Sequence, residues 1–217
     1  MTAKSTITNG QSGLSVRTAL NSMFGDLYGG AAARHVVGNW YLPVEGITQN
    51  GGAPTANTIR LVPFVVGETV TISDLAAVIT TLAAAGNAQL AIYNSRSLTD
   101  FRPGTLLGAT GSLSTGSTGL ISAAISDGNV IMTPGLYWMA SNQDNATVAY
   151  TQITNTSTPL TRLVGDSTAT NIIQATGGLR QCMSFTQTFG TWPDLTAQTL
   201  SLQNNNCAVA YKVAAVA

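Results

Sequence analysis

The stretch Ala88–Ala140, AQLAIYNSRSLTDFRPGTLLGATGSLSTGSTGLISAAISDGNVIMTPGLYWMA, decides the fold. Short apolar runs alternate with breaks of Gly, Pro, Ser, Thr, Asn and Asp, the spacing of antiparallel strands joined by loops. In Leu90-Ala91-Ile92-Tyr93 and Leu136-Tyr137-Trp138-Met139 the apolar residues run unbroken, which predicts strands buried on both faces. Arg102-Pro103-Gly104 and Thr133-Pro134-Gly135 put Pro where φ is preset and Gly where φ can turn positive. Both therefore read as type II turns.

Working outward, the predicted strands before this centre are His35–Leu42, Asn57–Val66 and Glu68–Leu82. Pro63 places the second of these at an edge or a bulge, since proline donates nothing to a ladder. The Ala-rich half of the third is ambiguous with helix. Its Val78-Ile79-Thr80-Thr81 run decides for strand. After the centre come Ala146–Ile153, Leu160–Val164, a weak segment at Asn171–Ala175, Leu179–Phe189 and Cys207–Val216. Strands near every dozen residues predict an all-β, antiparallel, jelly-roll-like sandwich.

One segment breaks the pattern. From Ser15 to Tyr28, Val16, Leu20, Met23, Phe24 and Leu27 recur at spacings of three and four, which predicts a short amphipathic helix. Ser15 caps it and Gly29-Gly30 ends it. So short a helix is marginal alone in water. It lies either on its own sandwich or on another subunit, as an attachment peg. The expected organisation is an arm and helix over 1–33, then a sandwich over 34–217.

Of the 217 residues 44% are hydrophobic, enough for a full core, while only 8% are charged. Ordinary soluble domains carry about 25%. Nine basic and nine acidic residues cancel. A free monomer with so little charge is poorly protected against association, so the deficit predicts a surface covered by neighbouring subunits or coated with hydroxyls and amides. The two lysines, Lys4 and Lys212, lie far apart, and no basic cluster suited to phosphates is present, so no nucleic acid partner is expected. No run approaches the ~18 apolar residues of a membrane span. The start has no apolar signal core, so synthesis in a cytoplasm is expected. There Cys182 and Cys207 stay reduced by default, although they fall in two late strands that could face each other.

The search for chemistry is brief. His35 is the single histidine, which excludes a two-His metal site, and no nucleophile turn accompanies it. Two cysteines cannot make a four-ligand zinc site. The nine acids are scattered, mostly in turn contexts where Asp bonds its own backbone. No catalytic residue, metal or cofactor is therefore expected, and the chain reads as no enzyme. Sugar binding is the better candidate, because sugars stack on exposed aromatic faces beside polar groups. Trp138 reads as core. Trp192, in Phe189-Gly190-Thr191-Trp192-Pro193-Asp194, sits in a loop and is the candidate contact, with Asp194 beside it. The plainer reading of Trp192 is a plug at one end of the sandwich.

Leu90-Ala91-Ile92-Tyr93-Asn94, Pro103-Gly104-Thr105-Leu106-Leu107 and Thr133–Ala140 together resemble a β-sandwich module of tailed-bacteriophage virion surface proteins. Residues 13–28, GLSVRTALNSMFGDLY, are similar to a short N-terminal segment of phage tail-fibre proteins, where it lies near the particle-attached end. The resemblance implies a structural or host-contacting virion component: fibre, baseplate, collar or head-surface protein. Such proteins are commonly homotrimers, docked on other virion proteins. The alternative it leaves open is a receptor-binding module that holds a host-surface glycan near Trp192 and Asp194. No shaft repeat or collagen-like run accompanies these motifs.

Overall fold

The computed structural model describes residues 35–42, 47–48, 53–97, 99–153, 182–203 and 206–217. The predicted helix with Val16, Leu20, Met23, Phe24 and Leu27 lies outside these residues, as do the predicted strands Leu160–Val164 and Asn171–Ala175. The described residues contain strands and no helix: β1 (Trp40–Tyr41), β2 (Ile47–Thr48), β3 (Thr58–Val66), β4 (Val70–Thr81), β5 (Asn87–Ser95), β6 (Pro103–Ala109), β7 (Leu113–Ser114), β8 (Gly119–Ala124), β9 (Val130–Met132), β10 (Gly135–Gln143), β11 (Ala149–Tyr150), β12 (Gln152–Ile153), β13 (Cys182–Thr186), β14 (Ser201–Gln203) and β15 (Ala210–Val216). All described pairings are antiparallel.

The first sheet is built on β4. On one edge β4 pairs with β15 and then β11; on the other with β9 and then β8. Ile79 thus lies between Gly119 and Tyr150, and Ile72 between Val130 and Val213. β1 adds to the far side of β15. In the pairing with β15, Asp74 lies opposite Lys212 and Ile72 opposite Val213, so Ser73 is an extra residue, a bulge. It changes the parity of the strand. Val70 and Ile72 face the core before it, and Leu75, Ala77 and Ile79 after it.

The second sheet runs β14-β13-β3-β10-β5-β6, with β7 also on β5. Its inward residues, among them Phe64, Leu90, Ile92, Tyr137 and Met139, share one core with the inward residues of the first sheet, a β-sandwich-like arrangement. A third, two-stranded sheet pairs β12 with β2. The unbroken runs have the predicted explanation. Alternate residues of β3, β5 and β10, including Ile59, Leu61, Tyr93 and Trp138, form a second cluster on the other face of the same sheet. Leu195 closes it, and Trp192 and Leu200 pack against it. The connection from β13 to β14 is therefore a strap across that face, and the sheet is covered on both sides.

Several local expectations are corrected. Neither Gly104 nor Gly135 has a positive φ, so neither proline-glycine pair is a type II turn. Pro103 instead opens β6, a strand's first residue being where proline costs no ladder bond. Gly104 lies in that strand because a Cβ there would meet Asn94 Oδ1 at 2.7 Å and the Arg96 backbone at 3.2 Å. Pro63 is in an interior strand, not an edge strand; the described ladder of β3 with β13 ends at Leu61, just before it. The strand predicted over His35–Leu42 shrinks to Trp40–Tyr41, because Gly38 turns the chain at φ 87°. The one predicted over Ala146–Ile153 divides into β11 and β12, which join different sheets about Thr151. The strand predicted over Leu179–Phe189, whose first three residues lie outside the described ones, ends already at Thr186, and the one predicted over Cys207–Val216 begins at Ala210. Cys182 and Cys207 are both buried and form no disulfide with each other.

Candidate functional site

Trp192 and Asp194 both lie on the strap. Trp192 is half-buried, its ring 6.2 Å from that of Tyr93 and inclined at 59°. Its indole nitrogen is buried without a hydrogen-bond partner. Asp194 is exposed and bonded to its own surroundings: Thr196 N donates to Oδ1 at 2.7 Å and the Thr105 hydroxyl to Oδ2 at 3.4 Å. The Thr196 bonds hold its carboxyl below the usual range. Three anchors fix the strap. Tyr93 OH donates to Pro193 O at 3.0 Å, and Leu195 N to Gly104 O at 2.9 Å. The Arg96 guanidinium donates to the carbonyls of Leu195 (2.6 Å) and Gln198 (2.7 Å) on the strap and of Pro103 (3.1 Å) on β6. Burial, and then the Asp194 charge, push the Tyr93 phenol well above its ordinary range.

His35 is also bound into structure. Its ring Nδ1 is 2.9 Å from Glu68 Oε1, its Nε2 2.7 Å from Tyr211 OH, and its backbone N–H donates to the same Glu68 oxygen at 2.6 Å. Tyr41 stands edge-on to the imidazole at 4.5 Å, and its hydroxyl oxygen accepts from Val36 N at 2.7 Å. Both ring nitrogens are thus occupied, and what they do is fasten the segment before β1 to the β3–β4 turn and to β15.

Two further carboxylates, Asp100 and Asp144, are similarly engaged. Asp100 takes a two-point contact from Arg102, with Nε at 2.8 Å and Nη2 at 2.7 Å, which holds its carboxyl down to about 2. Asp144 accepts from Asn87 N (2.8 Å) and Nδ2 (2.9 Å). Burial acts to raise its carboxyl, but these bonds and one from Asn145 win, and it sits below its ordinary value. Among the described residues no three His, Cys, Asp or Glu side chains gather as metal ligands would.

One arrangement escaped the sequence reading. Arg60 stands in the middle of the second sheet, paired with Ser184 on one side and Ser141 on the other, and only 5% exposed. Its Nη2 donates to Thr55 Oγ1 at 3.3 Å, while Nε and Nη1 are buried without a partner. Beside it lies the Cys182 thiol, which burial pushes up to about 12 against the opposing pull of the guanidinium, so it stays neutral. Thr55 and Ser184 also line a groove of about 370 Å³ at this end of β3, β13 and β14, together with Thr58, Thr186, Ser201 and Gln203. Arg60 lies opposite Ser184 in register but is not itself one of the residues that line this groove. No protein-family model matches the chain, and no curated protein matches it.

Proposed function

We propose that this chain is a non-enzymatic structural component of a tailed-phage particle, which docks through residues 1–33 and displays a jelly-roll-like sandwich among neighbouring subunits. The carrying observation is the outer face of the first sheet. Its outward residues include Leu120 opposite Val78, Ser122 opposite Ala76, Ile131 opposite Thr71 and Ala215 opposite Thr71 on the other side. Leu120 is 70% exposed and Ile131 67%. Its charges are Asp74 and Lys212, directly opposite each other in register. A broad sheet face with apolar, small and hydroxyl residues and one mutually opposed charge pair suits contact with another subunit better than contact with water alone.

The resemblance supplies the particle, and the uncharged face fits it. Phage assembled with a chain lacking residues 1–33 should contain none of this protein, while the same truncated chain, purified, keeps its β-rich circular dichroism. Particles that still incorporate it end the docking role. For the sheet face, Leu120→Lys with Ile131→Lys should lower the sedimentation mass of the purified full chain from an oligomer to a monomer. A wild-type chain that sediments as a monomer at micromolar concentration removes the reading. The glycan alternative at Trp192 and Asp194 has less support, because the ring packs against Tyr93 and the carboxylate is taken up by its own loop.

A further inference from the structure

One row of residues crosses the outer face of the first sheet. Trp40 on β1 is paired with Lys212 on β15, Lys212 with Asp74 on β4, and Asp74 with Ala124 on β8. Their chain neighbours Tyr41, Tyr211 and Leu75 pack into the core, so this row takes the outward side. Trp40 and Ala124, at its two ends, are exposed. The charges in the middle are not joined to each other. Among the described residues the ion pairs use His35, Arg96 and Arg102 as their cations. Lys212 Nζ instead stands 6.0 Å from the centre of the Trp40 ring, and Asp74 Oδ2 accepts the hydroxyl of adjacent Ser73 at 2.5 Å. In order the row reads bulky, positive, negative, small. Turned about a two-fold axis, that order meets its own complement. An axis along the strands, between β4 and β15 and midway between two stacked sheets, sets Trp40 over Ala124 and Lys212 over Asp74 of a second copy, and the reverse. Stacked sheets stand about 10 Å apart, a gap that a lysine and a carboxylate reaching from opposite sides close.

We propose that this face binds a second copy of the same chain about a two-fold axis, with Lys212 of each copy paired to Asp74 of the partner subunit. The inference rests on the reading of this face as a subunit contact, and it names the subunit and its orientation. Exposed Leu120, Ile131, Val78 and Trp40 supply the apolar contact. The two ion pairs fix how the sheets are laid on each other, because a shifted or rotated stack buries an ammonium and a carboxylate without partners. Enclosed between the sheets, the pairs are screened little by salt. A two-fold contact makes pairs of copies, and the homotrimer that the phage resemblance implies is the competing outcome.

The test uses the purified full chain. Asp74→Lys makes both charges of the row positive, and Lys212→Asp makes both negative. Each variant alone should sediment as a monomer where the wild-type chain is a dimer, its self-association weakened at least about tenfold by like charges set face to face. An equimolar mixture of the two should recover the dimer as a heterodimer, read by native mass spectrometry. A cross-link on the wild-type chain guards against variants that fail to fold. Isotope-labelled and unlabelled protein, mixed and treated with a carbodiimide, should give peptides in which Lys212 of one label is joined to Asp74 of the other. If a variant does not fold, this cross-link decides alone. A wild-type trimer, folded single variants that associate like the wild type, a folded mixture that stays monomeric, or no mixed-label peptide joining Lys212 to Asp74 each overturns the inference. Where Leu120→Lys with Ile131→Lys still breaks the oligomer, the subunit contact stands and only this pairing falls, whereas a wild-type monomer removes both.

Discussion

Ala85 carries φ 57° at the tip of the β4–β5 connection, where Gly86 N donates to Ala83 O at 3.0 Å. A Cβ in the left-handed region costs about 1–2 kcal/mol. Ala85→Gly relieves that and gives back part of it as unfolded-chain entropy. The expected result is a gain of about 0.5–1 kcal/mol in urea denaturation. The next residue behaves oppositely. A Cβ on Gly86 would meet Asn145 Nδ2 at 2.3 Å and Thr115 Oγ1 at 2.5 Å, so Gly86→Ala is destabilising. Burial raises both thiols to about 12, so Cys182 and Cys207 should resist a thiol reagent in the native chain at pH 8 and react fully in guanidinium. Asp144 and Asp100 set the acid limb. Their folded-state carboxyls lie below the unfolded values, so each contributes stability above about pH 4, which is lost as pH falls through the folded value. In Asp144→Asn the stability lost between pH 5 and pH 2 should shrink, as read from urea midpoints.

At the scale of elements, the strap and the strands it covers depend on Arg96. Arg96→Ala leaves the carbonyls of Pro103, Leu195 and Gln198 without this donor and should cost about 3 kcal/mol. Limited proteolysis should then cut first within residues 187–200. On β6, a Cβ at Gly108 would lie 2.7 Å from Ile125 and 2.8 Å from Val130, so Gly108→Val overpacks the core by about 1–3 kcal/mol. The double burial of β5 and β10 was legible, because Leu90–Tyr93 and Leu136–Met139 have no polar alternate to give to water. What covers the second face was not. The strap has neither period, and its key partner, Arg96, lies on the far side of the sequence. Pro103 misled for a related reason: a proline before glycine is the mark of a turn and equally of a strand's first residue, and only the closeness of Asn94 decides. The burial of Arg60 was not legible either, because strand alternation does not say what covers the face that a polar residue shares.

For the whole molecule, the charge deficit has a location. The outer face of the first sheet is nearly free of ionised groups, whereas Arg96, Asp100 and Arg102 cluster around the β5–β6 turn of the second. Association through the first sheet should therefore be little affected by raising salt, which screens charges and leaves apolar contact intact. Equilibrium sedimentation at two ionic strengths would check this, and an oligomer that dissociates in salt would contradict it. The way β4 is paired also bears on synthesis. One edge receives β9 and β8 soon after β4 itself is made, but much of the other waits for β15, made long after β4. Until then a nascent polypeptide holds a long open strand edge, the kind that captures a second chain. Slow translation between β9 and β15 thus favours tangled intermediates, and a chaperone that shields that edge during synthesis raises the yield.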